Sequence, residues 1–455
     1  MAIFVSLIQQ LFFLAALLAA VIAVTQRVLR IKGNIQLGQP LDRTDRPAER
    51  WRTMLLIAFG QKKMFDRPFV GLMHFVIYSA FLLINIEVLE IIIDGLTGQH
   101  RIFAPFLGSL YPWLINFFEF LAVSVILVCV VFLFRRYSRL VPRFWSREMT
   151  AWPRLDATII LVVEIALMLC LLTMNAADTI LQGRGGESDY VNAHYHPVGP
   201  FLFSGLLVPL YEGLSTSALL GLERGAWWLH ILGILSFAVY VTYSKHLHIG
   251  LAFPNTYFSD LDAKGKLVNM PVVTREVRSM LGLAEETPTS EVSAEVGRFG
   301  AKDVADLTWK NLMDAYSCTE CGRCTAVCPA NLTGKLLSPR KVMMDTRDRL
   351  EEMGQHLADV GPGHDDGKSL YGDYITKEEM MACTTCNACT DACPININPL
   401  DIIVQVRQYV AMEESGTPAS WNSMFANIEN NAAPWAFSAS DRFNWAGELL
   451  DKEGK

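Results

Sequence analysis

Five stretches of this chain, at roughly residues 3–24, 69–93, 112–134, 157–179 and 227–250, are each long and apolar enough to cross a hydrocarbon core, which needs about 20 helical residues. In lipid every backbone N–H and C=O must find a partner within its own segment, so such stretches can only be helices. The fold class expected is therefore all-α, with a five-helix transmembrane bundle over residues 1–250. Charge is distributed to match: residues 1–250 hold 20 basic and 16 acidic side chains, and residues 251–455 hold 19 and 30. The second half answers to water rather than lipid.

The first apolar run has no basic residue before it, and Arg27, Arg30 and Lys32 follow it, which reads as an anchor rather than a signal peptide. Basic residues stay on the cytoplasmic side of a membrane. The segment Arg27 to Arg67 holds ten of them and Arg135 to Arg154 six, against Arg101, Arg184 and Arg224 in the opposite loops. This predicts an inner-membrane, multi-pass protein with its N-terminus outside and its second half in the cytoplasm. A further apolar piece, Phe201 to Leu210, is too short and too rich in Pro and Gly to span, and is expected to be re-entrant or interfacial. Residues 251–300 read as a linker, turning to Glu, Thr, Ser, Pro and Ala after Leu281; residues 301–412 read as a helical soluble domain, and residues 413–455 as a polar tail. The acidic second half has no basic stripe with interleaved aromatics, which excludes nucleic acid as a partner.

Eight of the ten cysteines fall in two runs, Cys318-x2-Cys321-x2-Cys324-x3-Cys328-Pro329 and Cys383-x2-Cys386-x2-Cys389-x3-Cys393-Pro394. Cysteines at that spacing can place three thiolates on one face of a cubane, while the fourth, before proline, ligates the other cluster in two-cluster ferredoxins. Two [4Fe-4S] clusters are expected, one on Cys318, Cys321, Cys324 and Cys393 and one on Cys383, Cys386, Cys389 and Cys328. A pair of zinc sites is the competing reading, but zinc modules pair two separated C-x2-C knuckles rather than repeating this compact run. Cys129 and Cys170 read as ordinary apolar helix residues.

An imidazole inside a span is costly without a partner and marks a functional site. His74 lies near the inner end of the second span, His230 near the outer end of the fifth, and His246 and His248 near its inner end. On one continuous helix, 18 residues make five whole turns, so His230 and His248 would share a face about 27 Å apart with His246 nearly opposite. His74 and His248 then form the main candidate pair of axial ligands for a haem iron. The competing reading makes His246 and His248 interfacial residues beside Lys245, and His74 a satisfied polar group among packed helices. Glu87, Glu90, Asp94, Glu119 and Glu164, within or at the rims of spans, are candidate proton carriers or interhelical polar groups.

With Met73-His74-Phe75, Trp227-Trp228-Leu229-His230 and Tyr243-Ser244-Lys245-His246-Leu247-His248-Ile249, the first half resembles the gamma subunit of membrane nitrate reductase and the cytochrome b part of heterodisulfide reductase. The second half resembles the helical ferredoxin domain of heterodisulfide reductase-related and succinate dehydrogenase-type iron-sulfur proteins. The resemblance implies haem b at His74 and His248. In the nitrate reductase pattern the second span carries another histidine ten residues on, where this chain has Ile84. A second haem at His230 therefore lacks a ligand unless His100, His194 or His196 folds in. Longer relatives continue into cysteine-rich repeats, whereas this chain has no cysteine after Cys393, which implies a separate cytoplasmic redox subunit, heterodisulfide reductase B-like or a flavoprotein; the tail from Glu413 to Lys455 reads either as its docking segment or as a solvated tail.

The function expected is electron transfer between that partner and a membrane quinone, menaquinone or ubiquinone, through two [4Fe-4S] clusters and haem b, with no catalytic residue assigned. Two alternatives stand beside it: a haem-free iron-sulfur quinone oxidoreductase anchor, and a membrane scaffold or transporter with a redox-sensing cluster domain.

Overall fold

A computed structural model of the chain describes residues 2–267, 269–283, 298–363 and 365–453. Among the described residues, five helices are long and apolar enough to cross a membrane. They are Ala2–Ile35, Pro68–Thr97, Tyr111–Tyr137, Trp152–Gln182 and Thr216–Val241, the first to fifth spanning helices. Pro68, Pro112 and Pro153 stand in the first turns of the second, third and fourth, where a missing N–H costs nothing. Ser215 caps the fifth by accepting from the Ala218 N–H. The first helix packs on the second and fifth, the second on the third, the third on the fourth and the fourth on the fifth, so the five close into a ring. Phe13 is fully buried against Gly95, where a Cβ would come within 2.8 Å of the ring, so the first two helices can meet only because residue 95 has no side chain.

The apolar piece at 201–210 does not cross. It forms two short turns, Ser204–Leu207 and Val208–Tyr211, held by the Phe203 and Ser204 N–H groups donating to Glu119 Oε2 at 3.0 and 3.1 Å.

The fifth span departs from the sequence expectation at both ends, starting at Thr216 and ending at Val241 rather than running from 227 to 250. The Asp156 carboxylate of the fourth helix stops it. That group accepts from the Ser244 hydroxyl at 2.7 Å and the Lys245 N–H at 3.1 Å, which turns the chain into a short 3-10 stretch, Lys245–Leu247, and a new helix, His248–Tyr257. The single-helix arithmetic that put His230 and His248 on one face therefore fails, as does the expectation that His246 points away from both.

Beyond the membrane part, Trp309–Ser317, Pro339–Val360 and Pro399–Met412 are the main helices. Their core, with Leu312, Val342, Leu350, Ile402 and Val406 buried, also takes in Ile31 from the end of the first spanning helix, Ala58 from the segment Leu55–Phe59 and Ala252 from helix His248–Tyr257. Helix His248–Tyr257 thus lies in this core where a linker was expected to begin, while residues 284–297 of that linker fall outside the described residues. The tail is not simply polar. Helix Ala419–Asn431 exposes Trp421, Phe425 and Ile428 on one face, and Trp435, Phe437, Phe443 and Trp445 are exposed after it.

One charged chain ties the two halves together. The Lys245 ammonium donates to the Glu320 carboxylate and, at 2.6 Å, to the Pro153 carbonyl, and lies 3.8 Å from Asp156. Arg347 donates to the other oxygen of Glu320 at 2.8 Å. Only 9% of the Lys245 side chain and 2% of Asp156 and Glu320 remain exposed, so each charge depends on the others for compensation. Burial pushes the Glu320 carboxyl up, but Lys245 and Arg347 outweigh it and hold the group below the usual glutamate range. A depressed carboxyl contributes its stability above the unfolded value and loses it as the pH falls through the folded one, so the Glu320 contribution is present at neutral pH and is lost only in acid. Lys245→Met would leave buried Asp156 without a cation and Glu320 with Arg347 alone, at a cost of about 3–5 kcal/mol. The expected result is a clearly lower thermal midpoint for the detergent-solubilised variant at neutral pH; an unchanged midpoint would contradict this joint.

Candidate electron-transfer site

The two cysteine runs fold alike. In each, the residue before the second cysteine and the one after it take left-handed backbone: Glu320 and Gly322 at φ 54 and 69, Thr385 and Asn387 at φ 55 and 61. Alternation of this kind turns successive N–H groups inward toward a negative centre. Glycine is required at 322 for space as well, since a Cβ there would stand 2.4 Å from Arg340 Nη1. Asparagine, which tolerates this conformation, serves at 387.

The structure brings the cysteines together across the runs. Cys393 lies with Cys318, Cys321 and Cys324. Cys328 lines one cavity with Cys383, Cys386 and Cys389, alongside Pro329, Asn387 and Leu400. Amides point at the sulfurs: the Ile397 N–H donates to Cys393 Sγ at 3.3 Å and the Thr385 N–H to Cys383 Sγ at 3.4 Å. Burial and neighbouring thiols push Cys318 and Cys393 up to about 12 and Cys389 up to about 11. Thiols so crowded stay protonated without iron, and ligation would displace those protons.

The two sets have different surroundings. Around the first, Arg143 Nε donates to the Cys321 carbonyl at 2.8 Å, Lys63 Nζ to the Cys393 carbonyl at 2.9 Å, and Arg323 to the Lys63 carbonyl at 3.1 Å. Arg143 and Lys63 come from segments flanking the spanning helices, so the first set is gripped by the membrane half. The second set is open: Cys386 is exposed, as are Thr384 and Thr385.

Two of the candidate histidines face each other beside the first set. The rings of His74 and His248 are 6.3 Å apart, centroid to centroid. Each is hydrogen-bonded through Nδ1, His74 with Gln61 Oε1 and His248 with the Lys245 carbonyl, both at 3.0 Å, which leaves Nε2 as the ligating nitrogen. A metal held between two imidazoles needs two bonds of about 2 Å plus about 1 Å from each nitrogen to its ring centre, so facing ligands sit about 6 Å apart. The 6.3 Å separation is compatible with a metal between the two rings, and a haem held there would supply one-electron chemistry. His246 packs against His248 at 5.5 Å and Phe237 at 5.7 Å, joining the pair instead of opposing it.

His230 is buried on its own, its Nδ1 2.9 Å from the Leu167 carbonyl, and no histidine ring lies against it among the described residues. His100, His194 and His196 do not fold in to meet it. They line a cavity of about 430 Å³ at the far end of the bundle, where His100 contacts Asp178 and Arg224. Among the described residues the chain thus assembles one facing histidine pair across the spanning helices, not two.

The membrane acids separate by their partners. Glu90 accepts from the Phe103 N–H and the Tyr111 hydroxyl, Asp94 from the Arg101 and Ile102 N–H groups, and Glu119 from Asn175 and the turn at 203–204, so all three act as structural acceptors. Glu87 is buried, and its Oε2 is the one carboxylate oxygen without a partner among the buried side-chain atoms described. Sequence reasoning missed Gln61, Asp156 and the buried Arg101, which reaches Asp178, Asn175 and Tyr111 at 2.5, 2.9 and 3.1 Å. Asp156 and Asp178 carried the same signal as the acids singled out, a charge within an apolar run; Gln61 carried none.

The thiols themselves give a direct test of this geometry. In metal-stripped, folded protein Cys386 should take up iodoacetamide first, while Cys318 and Cys393 react only on unfolding or near pH 12, because the thiolate is the nucleophile. Peptide mass spectrometry reads the order, and early labelling of Cys318 or Cys393 would contradict the arrangement.

Residues 317–397 match the 4Fe-4S dicluster domain family. The chain is 30% identical over 448 residues to a probable iron-sulfur-binding oxidoreductase FadF of Bacillus subtilis (strain 168), covering 92% of this chain and 58% of that one. It is 26% identical over 450 residues to an EtfAB:quinone oxidoreductase of Syntrophomonas wolfei, covering 91% and 57%. It is 32% identical over 167 residues to a probable membrane-anchored ferredoxin of Chromohalobacter salexigens, covering 33% and 24%. Shorter matches reach subunits of the dihydromethanophenazine:CoB–CoM heterodisulfide reductases of Methanosarcina species, at 25% identity over 156 residues in Methanosarcina mazei. The chain spans less than three-fifths of the length of the first two relatives. No solved structure matches it. The chain is a homologue of iron-sulfur oxidoreductases, a membrane-anchored ferredoxin and heterodisulfide reductase subunits, and it carries a 4Fe-4S dicluster domain beside five apolar helices long enough to cross a membrane.

Proposed function

We propose that the chain carries electrons between a soluble redox partner and a membrane quinone, through clusters on its two cysteine sets and a haem b between His74 and His248. The observation that carries this reading is the joint at Lys245. Its carbonyl accepts from His248 Nδ1 and its ammonium binds Glu320, between Cys318 and Cys321, so the histidine pair and the first cysteine set are fixed to one residue. The second set, with Cys386 exposed, is where a partner has access. The order is then partner, second set, first set, histidine pair, quinone. One quinone takes two electrons from the reduced partner, passed singly, and two protons from water to leave as quinol. The relative named for EtfAB and quinone supports both ends of this path. The inner-membrane location, with the cluster domain in the cytoplasm, is supported by the basic loops beside that domain.

Charge supports the direction. Lys63, Arg143 and Arg323 surround the first set with no salt bridge among the described residues, and Asp66 is the carboxylate whose charge acts on Lys63 and Arg323. Burial and adjacent guanidiniums push Arg143 down to about 10, which leaves it charged at neutral pH. At the second set Arg407, donating to the Cys383 carbonyl at 2.6 Å, is the corresponding cation, and Lys264 is paired with Asp391. Cations favour the reduced, more negative cluster, and burial weakens the water that would screen them. The first set should therefore hold the higher reduction potential.

Three outcomes are expected. His74→Ala and His248→Ala should each abolish the b-type pyridine haemochrome of the purified protein, while His230→Ala retains it; loss on His230→Ala alone would contradict the assignment. Cys393→Ser, though in the second run, should perturb the electron paramagnetic resonance signal of the same cluster as Cys318→Ser; two different signals affected would contradict the crossed pairing. In a redox titration, Arg323→Gln should lower the midpoint of the higher-potential cluster and leave the other in place; a shift confined to the lower one would reverse the order.

A further inference from the structure

Resting on the reading above, we infer that the quinone head group binds at Tyr78, where the second spanning helix meets Phe59 of the segment Leu55–Phe59. Tyr78 is one turn beyond His74 on the same helix, a rise of about 6 Å. Its hydroxyl is a buried polar atom with no hydrogen-bond partner among the described residues. Such a donor is costly unless a ligand completes it.

The surroundings fit a planar, lipid-borne acceptor. Phe59 lies 6.3 Å from Tyr78 and 5.9 Å from Phe253 of helix His248–Tyr257, and Phe75 lies 6.5 Å from Tyr78 and 6.0 Å from Phe65. Phe59, Phe65 and Phe75 are exposed, at 53%, 41% and 41%. These rings offer faces for stacking and no charge, so an anionic or water-soluble ligand has nothing to hold it. A quinone brings an apolar ring and carbonyl oxygens that accept from the phenol.

The segment Leu55–Phe59 is a single turn of π-helix, a distortion that recurs at functional sites. It leads through Gly60 directly into Gln61, the residue that orients His74. The ring of Phe59 against Tyr78 and the support of the proposed haem ligand therefore belong to one piece of chain, which places a quinone at Tyr78 beside that ligand.

The test uses the full-length protein in lipid nanodiscs, reduced with stoichiometric dithionite and mixed with decyl-ubiquinone while absorption records cofactor oxidation. Loss of one hydrogen bond in Tyr78→Phe should raise the half-saturating quinone concentration about tenfold, with limiting rate and haem spectrum as in the parent. In parallel, an azido-quinone should label the peptide spanning residues 51–81. Unchanged half-saturation, a haem spectrum altered without any change in quinone saturation, or label only around the far cavity at His100 and His196 would each overturn the site. If quinone fails to oxidise the reduced parent protein, the electron-transfer reading falls and the site with it; if it oxidises parent and variant alike, the site alone falls.

Discussion

A buried lysine joins the two halves of this molecule. Lys245 stands where the fifth spanning helix has ended, with its N–H and ammonium on Asp156, its carbonyl on His248 and its charge on Glu320 of the first cysteine run. Removing any one partner leaves the others charged in a place with little water. The break in the fifth helix, the turn of the chain into helix His248–Tyr257 and the seating of the cluster domain on the bundle all meet at this residue.

Around that joint the structure uses main-chain carbonyls as the contact surface for charge. Arg143, Lys63 and Arg323 donate to the carbonyls of Cys321, Cys393 and Lys63 instead of pairing with carboxylates, so their positive field is left to act on whatever the thiols hold. The far end of the bundle is built on the opposite plan. There Arg101 is closed off by Asp178, Asn175 and Tyr111, and Glu90, Asp94 and Glu119 spend their oxygens on backbone and side-chain donors. Fully satisfied charge is a structural device; charge left unsatisfied beside a redox centre tunes it.

Much of this is legible in the sequence because it is written locally. Runs of 20 apolar residues have no alternative to a helix in lipid, and the cysteine spacing defines its own loop. The facing of His74 and His248 is also legible, though by reasoning that fails in detail: it takes the fifth helix as unbroken, and Asp156, 88 residues away from Ser244 in sequence, breaks it. Long-range partners of that kind leave no periodic trace. For the same reason Gln61 gives no signal as the support of His74, and the tail, polar by its amides and acids, displays a face of Trp421, Phe425 and Ile428 that only the helix geometry assembles. Ile84, by contrast, is informative from one residue type: with no second histidine on that helix, His230 is left without a facing ring.

The central claim is that these residues hold two cubane clusters and one haem in a single path. The most direct measurement is the cofactor content of the purified, full-length protein: iron, acid-labile sulfide and pyridine haemochrome on the same anaerobic sample. About eight cluster irons with matching sulfide and about one b-type haem per chain are predicted from the two cysteine sets and the one facing histidine pair. Cluster iron without haem would contradict the path to the histidines, and zinc in place of sulfide-bound iron would contradict the account altogether.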